Sequence, residues 1–171
     1  MILSKKILIN LILTILILIL NLQAFSMKSD FQQPIKINSV KQSLDLKKNI
    51  TTFIKNIVIK QGTIEVKADK VLLIHPNGNT KKIIVEAYGS PATFYQLQDN
   101  GKSIKCYSDK IYYELEKELI ILSGNAYFEQ LDSNIKADKI TYLIATKKME
   151  AFSNKGKLVT TILSPSKLQD P

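Results

Sequence analysis

The chain has 171 residues, 24 of them Lys or Arg and 15 acidic, with one histidine, one cysteine and a formal net charge of +9. That length allows one domain with a modest core. A single cysteine cannot form an internal disulfide, and no second His or Cys is present to build a zinc site, so both kinds of scaffold are excluded.

The first 26 residues read as a secretory signal peptide. Lys5 and Lys6 supply the positive start, Ile7 to Leu22 is almost wholly Leu and Ile, and Ala24-Phe25-Ser26 supplies the small residues of a cleavage site. The apolar stretch is slightly short for a membrane span, which needs about 20 residues; an uncleaved anchor is the alternative. Residues 27–171 then form the mature domain. A positive surface favours acidic partners. Export argues against nucleic acid, and so does the even spread of the lysines, which form no compact cluster.

From Pro34 onward the chain reads as strands. Ile35 and Ile37 come first, then Leu44 and Leu46, Thr51-Thr52-Phe53 and Ile57-Val58-Ile59. Asp99-Asn100-Gly101 is a hairpin signal between Ala92–Leu97 and Ser103–Tyr107. Leu119 to Leu122 leads to a turn or bulge at Gly124-Asn125, and Asn154-Lys155-Gly156 separates Met149–Phe152 from Leu158–Ile162. No amphipathic helix stands out. Strands every 8–12 residues or so, with turns between, predict an all-β, antiparallel sandwich, barrel or jelly roll.

One pattern repeats. Asn56, Gln61, Ala68, Asp69 and Lys70 recur as Asn125, Gln130, Ala137, Asp138 and Lys139, 69 positions on, with a weaker copy at Ser108-Asp109-Lys110. Apolar alternation changes parity at each Asp-Lys pair. Ile64, Val66 and Ala68 give way to Val71 and Leu73; Ile104 and Cys106 to Ile111, Tyr113 and Leu115; Ile135 and Ala137 to Ile140, Tyr142 and Ile144. Alternation marks a strand with one face inward. A parity change implies an extra residue absorbed there, as in a β-bulge that bends the strand. The three Asp-Lys pairs are therefore expected at corners of a curved sheet, with the Asp bonded to backbone N–H groups freed by the bulge.

Reactive constellations are missing. His75 lies beside Pro76 in a predicted turn, no serine has the context of a nucleophile elbow, and no glycine-rich phosphate loop occurs. Glu114, Glu116 and Glu118 read as solvated outward residues of one strand. Cys106 reads as a small hydrophobe in an alternating strand. No catalytic residue, metal site or cofactor is expected, and the chain is read as a binding or structural protein.

Several segments carry a resemblance. They are Gln33-Pro34-Ile35, Gln42-Ser43-Leu44-Asp45, Gln61-Gly62-Thr63-Ile64, Tyr88-Gly89 with Pro91-Ala92-Thr93-Phe94-Tyr95-Gln96, Gly124-Asn125-Ala126-Tyr127, Asp132-Ser133-Asn134-Ile135-Lys136 and Met149-Glu150-Ala151-Phe152-Ser153. On these residues the chain resembles the OstA-like family of periplasmic lipopolysaccharide export proteins, over nearly its whole length. The resemblance implies a twisted antiparallel β-jelly roll, open at both ends, with a continuous hydrophobic groove for the acyl chains of lipopolysaccharide. It also implies head-to-tail stacking of copies into a bridge. That bridge would run from an inner-membrane complex that includes LptC to an outer-membrane translocon of LptD and LptE. Two departures from the family pattern are Val40 and Lys55, where Asp and Gly are expected.

Alternation then supplies the expected groove lining: Ile35, Ile37, Ile64, Val66, Phe94, Ile111, Tyr113, Leu115, Ile135, Ile140 and Tyr142. The competing reading is that these residues fill a closed core. A membrane-anchored assembly subunit and an exported anion- or glycan-binding β-domain are the alternatives in function.

Overall fold

The structure is a computed structural model that describes residues 30–79, 82–98, 101–131 and 133–163. The signal peptide read at 1–26 and the turn residues 99–100 lie outside the described residues. Ten strands form one sheet: β1 (Lys36–Asn38), β2 (Lys41–Asp45), β3 (Ile50–Gln61), β4 (Ile64–Ile74), β5 (Ile84–Leu97), β6 (Ser103–Glu114), β7 (Leu119–Gln130), β8 (Ser133–Leu143), β9 (Lys148–Phe152) and β10 (Thr160–Ile162). Every pairing is antiparallel, and β3 to β8 follow one another as a meander. The short strands sit at the edges: β1 and β2 both pair with β3, and β9 and β10 both pair with β8. The fold is thus an all-β, jelly-roll-like sheet that does not close.

The central strands are longer than the alternation suggests, because each runs through its corner without a break. The parity change falls where expected. Ala68 and Val71 are both buried on β4, Ser108 and Ile111 on β6, and on β8 half-buried Ala137 is followed by buried Ile140. The expectation of an extra residue at the Asp-Lys pairs needs correcting, however. The register places the extra residues on the neighbouring strands. Ile54 pairs with Lys70 and Ile57 with Ala68, so Lys55 and Asn56 together face Asp69. Ser123 pairs with Lys139 and Ala126 with Ala137, so Gly124 and Asn125 face Asp138. On β5 the surplus is Gly89 to Pro91, between Tyr88 and Ala92.

These bulges need left-handed backbone. Lys55 and Asn56 have φ of 66° and 51°, and Gly124 and Asn125 have 77° and 48°. Gly and Asn are the residues that adopt this region most readily. The repeated Asn thus has a local reason: it completes the bulge opposite the repeated Asp.

The 69-residue repeat is also a repeat of register. The β3–β4 pairs Ile54–Lys70 and Ile57–Ala68 become the β7–β8 pairs Ser123–Lys139 and Ala126–Ala137 at the same offset. The first copy differs by a longer connection, which carries a short 3₁₀ turn at Pro76–Gly78.

Inward residues form rows across the strands. One row runs Val66, Phe94, Cys106, Phe128, Ile135; another runs Val71, Ala87, Ile111, Leu122, Ile140; a third runs Leu73, Val85, Tyr113, Ile120, Tyr142. Folding the sheet at its corners brings these rows into one core cluster. Outward residues form cross-strand ion pairs instead, such as Lys60–Glu65, Lys105–Glu129 and Lys110–Glu86.

Candidate functional site: an apolar cavity in the folded sheet

The core is unevenly filled. On the β7–β8 side, Phe128 and Tyr142 meet with ring centroids 5.2 Å apart, and Leu122 and Ile140 are fully buried beside them. On the β4–β5 side the same rows carry smaller residues, Val71, Val85 and Ala87. A cavity of ≈ 320 Å³ opens there.

Of the residues expected as lining, Ile35, Ile37, Ile64, Val66, Phe94, Ile111, Tyr113 and Leu115 surround this cavity. Ile140 and Tyr142 do not; they are 0% and 3% exposed within the packed core. Ile135 lies half-buried against that core, away from the cavity. For these three the filled-core reading describes their position. The reason is side-chain volume: an alternation pattern shows which face a residue occupies and nothing of what its neighbours leave open. The cavity also takes in Ile59, Val71, Leu73, Ile83, Val85, Ala87, Ile120 and Ile144. Alternation already carried the signal for Val71, Leu73 and Ile144.

The ends of the cavity differ. One is bounded by Ile83, Leu115 and Ile144, next to turns held by Leu115 N donating to Ile83 O (3.0 Å) and Ile144 N to Glu118 O (3.0 Å). The other ends at the amides of Gln61 and Gln96. There the Asp30 carboxylate accepts from Thr63 N at 2.7 Å and from Gln96 Nε2 at 3.0 Å, while Gln61 Nε2 donates to Gln33 O at 3.1 Å. The 3₁₀ turn Asp30–Gln32 therefore sits across the polar end. It depends on Gly62, where an added Cβ would come within 2.2 Å of Asp30 Oδ1.

The cavity's polar groups are two amides and a phenol. Its chemical capacity is therefore to bury hydrocarbon. Cys106 is buried between Phe94 and Phe128, and burial pushes its thiol far above the ordinary range. The expected outward face of three glutamates breaks up. Glu114 ends β6 and binds Lys117, Glu116 pairs with Lys82 from a turn, and Glu118 takes a left-handed backbone (φ 49°). His75 is half-buried ahead of the Pro76–Gly78 turn. Among the described residues no group of three His, Cys, Asp or Glu could hold a metal ion.

Fold and site together define an open β-jelly-roll protein with an apolar interior cavity. Comparison with known proteins narrows this. The family described as "LptA/(LptD N-terminal domain) LPS transport protein" matches residues 36–148. The chain is 50% identical to the lipopolysaccharide export system protein LptA of Escherichia coli K12, over 98% of this chain and 90% of that protein. It is 45% identical to LptA of Haemophilus influenzae, over 85% of this chain and 86% of that protein. The crystal structure of LptH from Pseudomonas aeruginosa, a periplasmic lipopolysaccharide transport component, shares the fold with a TM-score of 0.72 at 21% identity, covering 81% of this chain and all of that one. The chain belongs to this LptA/LptD N-terminal-domain family of lipopolysaccharide transport proteins.

Proposed function

We propose that this protein carries lipopolysaccharide through the periplasm, from the inner to the outer membrane, with the acyl chains in the apolar cavity and the sugar head outside. The observation that carries this reading is the cavity itself, an apolar space opened within the folded sheet of a chain from a lipopolysaccharide transport family. Each buried CH₂ contributes about 0.8 kcal/mol, so a fully enclosed multi-acyl lipid would leave very slowly. A partly open sheet lets the chains shift between neighbouring apolar sites. A photo-crosslinker at Phe94 or Leu115 is expected to label with lipopolysaccharide. Labelling from Glu114 and Glu116 alone would contradict the reading.

The same reading gives the chain its partners. LptC of the inner-membrane complex and LptD of the LptD/LptE translocon flank a head-to-tail row of copies. Both sheet edges support it: Val40 and Leu44 on one side, and Phe152 and Ile162 on the other, are apolar and exposed. Such edges pair by strand addition. Thr160→Pro is expected to reduce oligomers while the monomer stays folded; unchanged oligomers would count against strand pairing at that edge. Residues 1–26 would be removed on export, and N-terminal sequencing of the periplasmic protein is expected to begin at Met27.

A further inference from the structure

Three of the outward tyrosines share one arrangement. Tyr88, Tyr112 and Tyr127 each donate their hydroxyl to a glutamate two positions away on the same strand: Glu86, Glu114 and Glu129. Tyr113, next to Tyr112 on β6, points to the other face and has no such neighbour. Its ring lines the cavity, opposite Val85 on one side and Ile120 on the other. Its hydroxyl oxygen is buried and, among the described residues, has no hydrogen-bond partner. Burial, and secondarily the charge of Glu118, push the phenol well above its ordinary range, so it stays protonated and able to donate.

A buried donor without an acceptor is costly and calls for an explanation. Packing does not provide one, because phenylalanine would fill the same space without the penalty. A water needs two or more polar partners, and the cavity side chains beside Tyr113, which are Val85, Leu115 and Ile120, supply none; Glu118, whose charge acts on the phenol, makes no hydrogen bond to it.

We propose that the Tyr113 hydroxyl is a hydrogen-bond donor to a carbonyl oxygen on the ligand, so that the cavity selects acyl esters and amides over plain hydrocarbon. The inference rests on the groove reading above and adds a polar anchor to it. It also orients the ligand. The carbonyl sits near the Ile83–Leu115–Ile144 end, and the alkyl chain runs along β6 toward Phe94. From Tyr113 to Cys106, the register partner of Phe94, that path is at most roughly 23 Å at about 3.3 Å per strand residue.

The test compares methyl myristate, which carries a carbonyl, with tetradecane, which does not. Binding to the full mature chain and to its Tyr113→Phe variant would be read by displacement of N-phenylnaphthylamine. The variant is expected to lose methyl myristate affinity by roughly two- to tenfold, the range of one net hydrogen bond. Its tetradecane affinity should change less than twofold, and it should melt no lower than the parent. An equal change for both ligands, or no change for the ester, would overturn the role of Tyr113 and leave the groove standing. If neither ligand displaces the fluorophore from the parent chain, the groove reading falls and the anchor falls with it.

Discussion

Asp109 on β6 and Gly124 on β7 fit each other at the corner of the sheet: a Cβ on Gly124 would come within 2.4 Å of Asp109 Oδ2, the oxygen that accepts from Asn125 Nδ2 at 3.0 Å. The carboxylate occupies the space that glycine leaves empty, and from there it holds the bulge. The third corner is fastened by a related contact. Asp138 accepts from Asn154 N at 2.8 Å and from Lys157 Nζ at 2.8 Å. The first bond crosses to β7 and the second pair reaches the segment that follows β9; neither stays local, as the sequence reading expected.

Gly124→Ala is expected to destabilise the protein by about 2 kcal/mol or more, from positive φ and the close contact together. In an Asp109→Ala background the contact is gone, and the cost should fall to about 1 kcal/mol, the strain alone. Urea denaturation of the four proteins in a double-mutant cycle measures the coupling. Additive effects would show that the two residues do not share the space.

The first corner lacks this fit. Val40 and Lys55 occupy the places of Asp109 and Gly124 at the 69-residue offset, and Val40 N donates to Lys55 O at 3.1 Å. Lys55 has φ of 66°, where a side chain is strained. The two departures are coupled: an Asp at 40 beside a Cβ at 55 would recreate the clash seen at Gly124. Lys55→Gly is expected to stabilise the chain by about 0.5–1 kcal/mol, net of the added freedom of the unfolded chain. Thermal unfolding checks it; a lowered melting temperature would show that Lys55 contributes something other than strain.

Glu86 predicts an acid-sensitive contribution. Burial alone would raise its carboxyl, but hydrogen bonds from Lys110 at 2.8 Å and from Tyr88 outweigh that and hold it below the ordinary value. A lowered folded pKa means stability that is fully present above the unfolded value, about 4.3, and is lost as pH falls through the lower folded value. Glu86→Gln should therefore lose stability at neutral pH and show a shallower decline between about pH 5 and pH 3. Urea midpoints measured across that range test it; parallel curves would show that the pair is inert.

The uneven core predicts unequal costs for two phenylalanines in one register row. Phe128→Ala on the filled side should cost about 3–5 kcal/mol. Phe94→Ala on the cavity side should cost clearly less, since part of its surroundings is already open and fewer contacts are lost. Equal costs by urea denaturation would mean that the cavity is closed in solution.

The faces of the strands and the positions of the corners were legible from residue order alone. A strand places successive side chains on opposite faces, so the parity changes at Asp69, Asp109 and Asp138 had to appear in the structure, and they do. The repeat announced itself in the same way, through Asn56 and Asn125. Which strand carries the surplus residue was not legible, because parity on one strand is silent about its partner. Residue order also could not separate Phe94 and Tyr113, which face the cavity, from Ile140 and Tyr142, which fill the core. All four alternate inward. Whether an inward residue meets empty space depends on the volumes of residues brought beside it from other strands. Here those are Val71, Val85 and Ala87 on one side, and Leu122 and Phe128 on the other, and only the folded sheet places them.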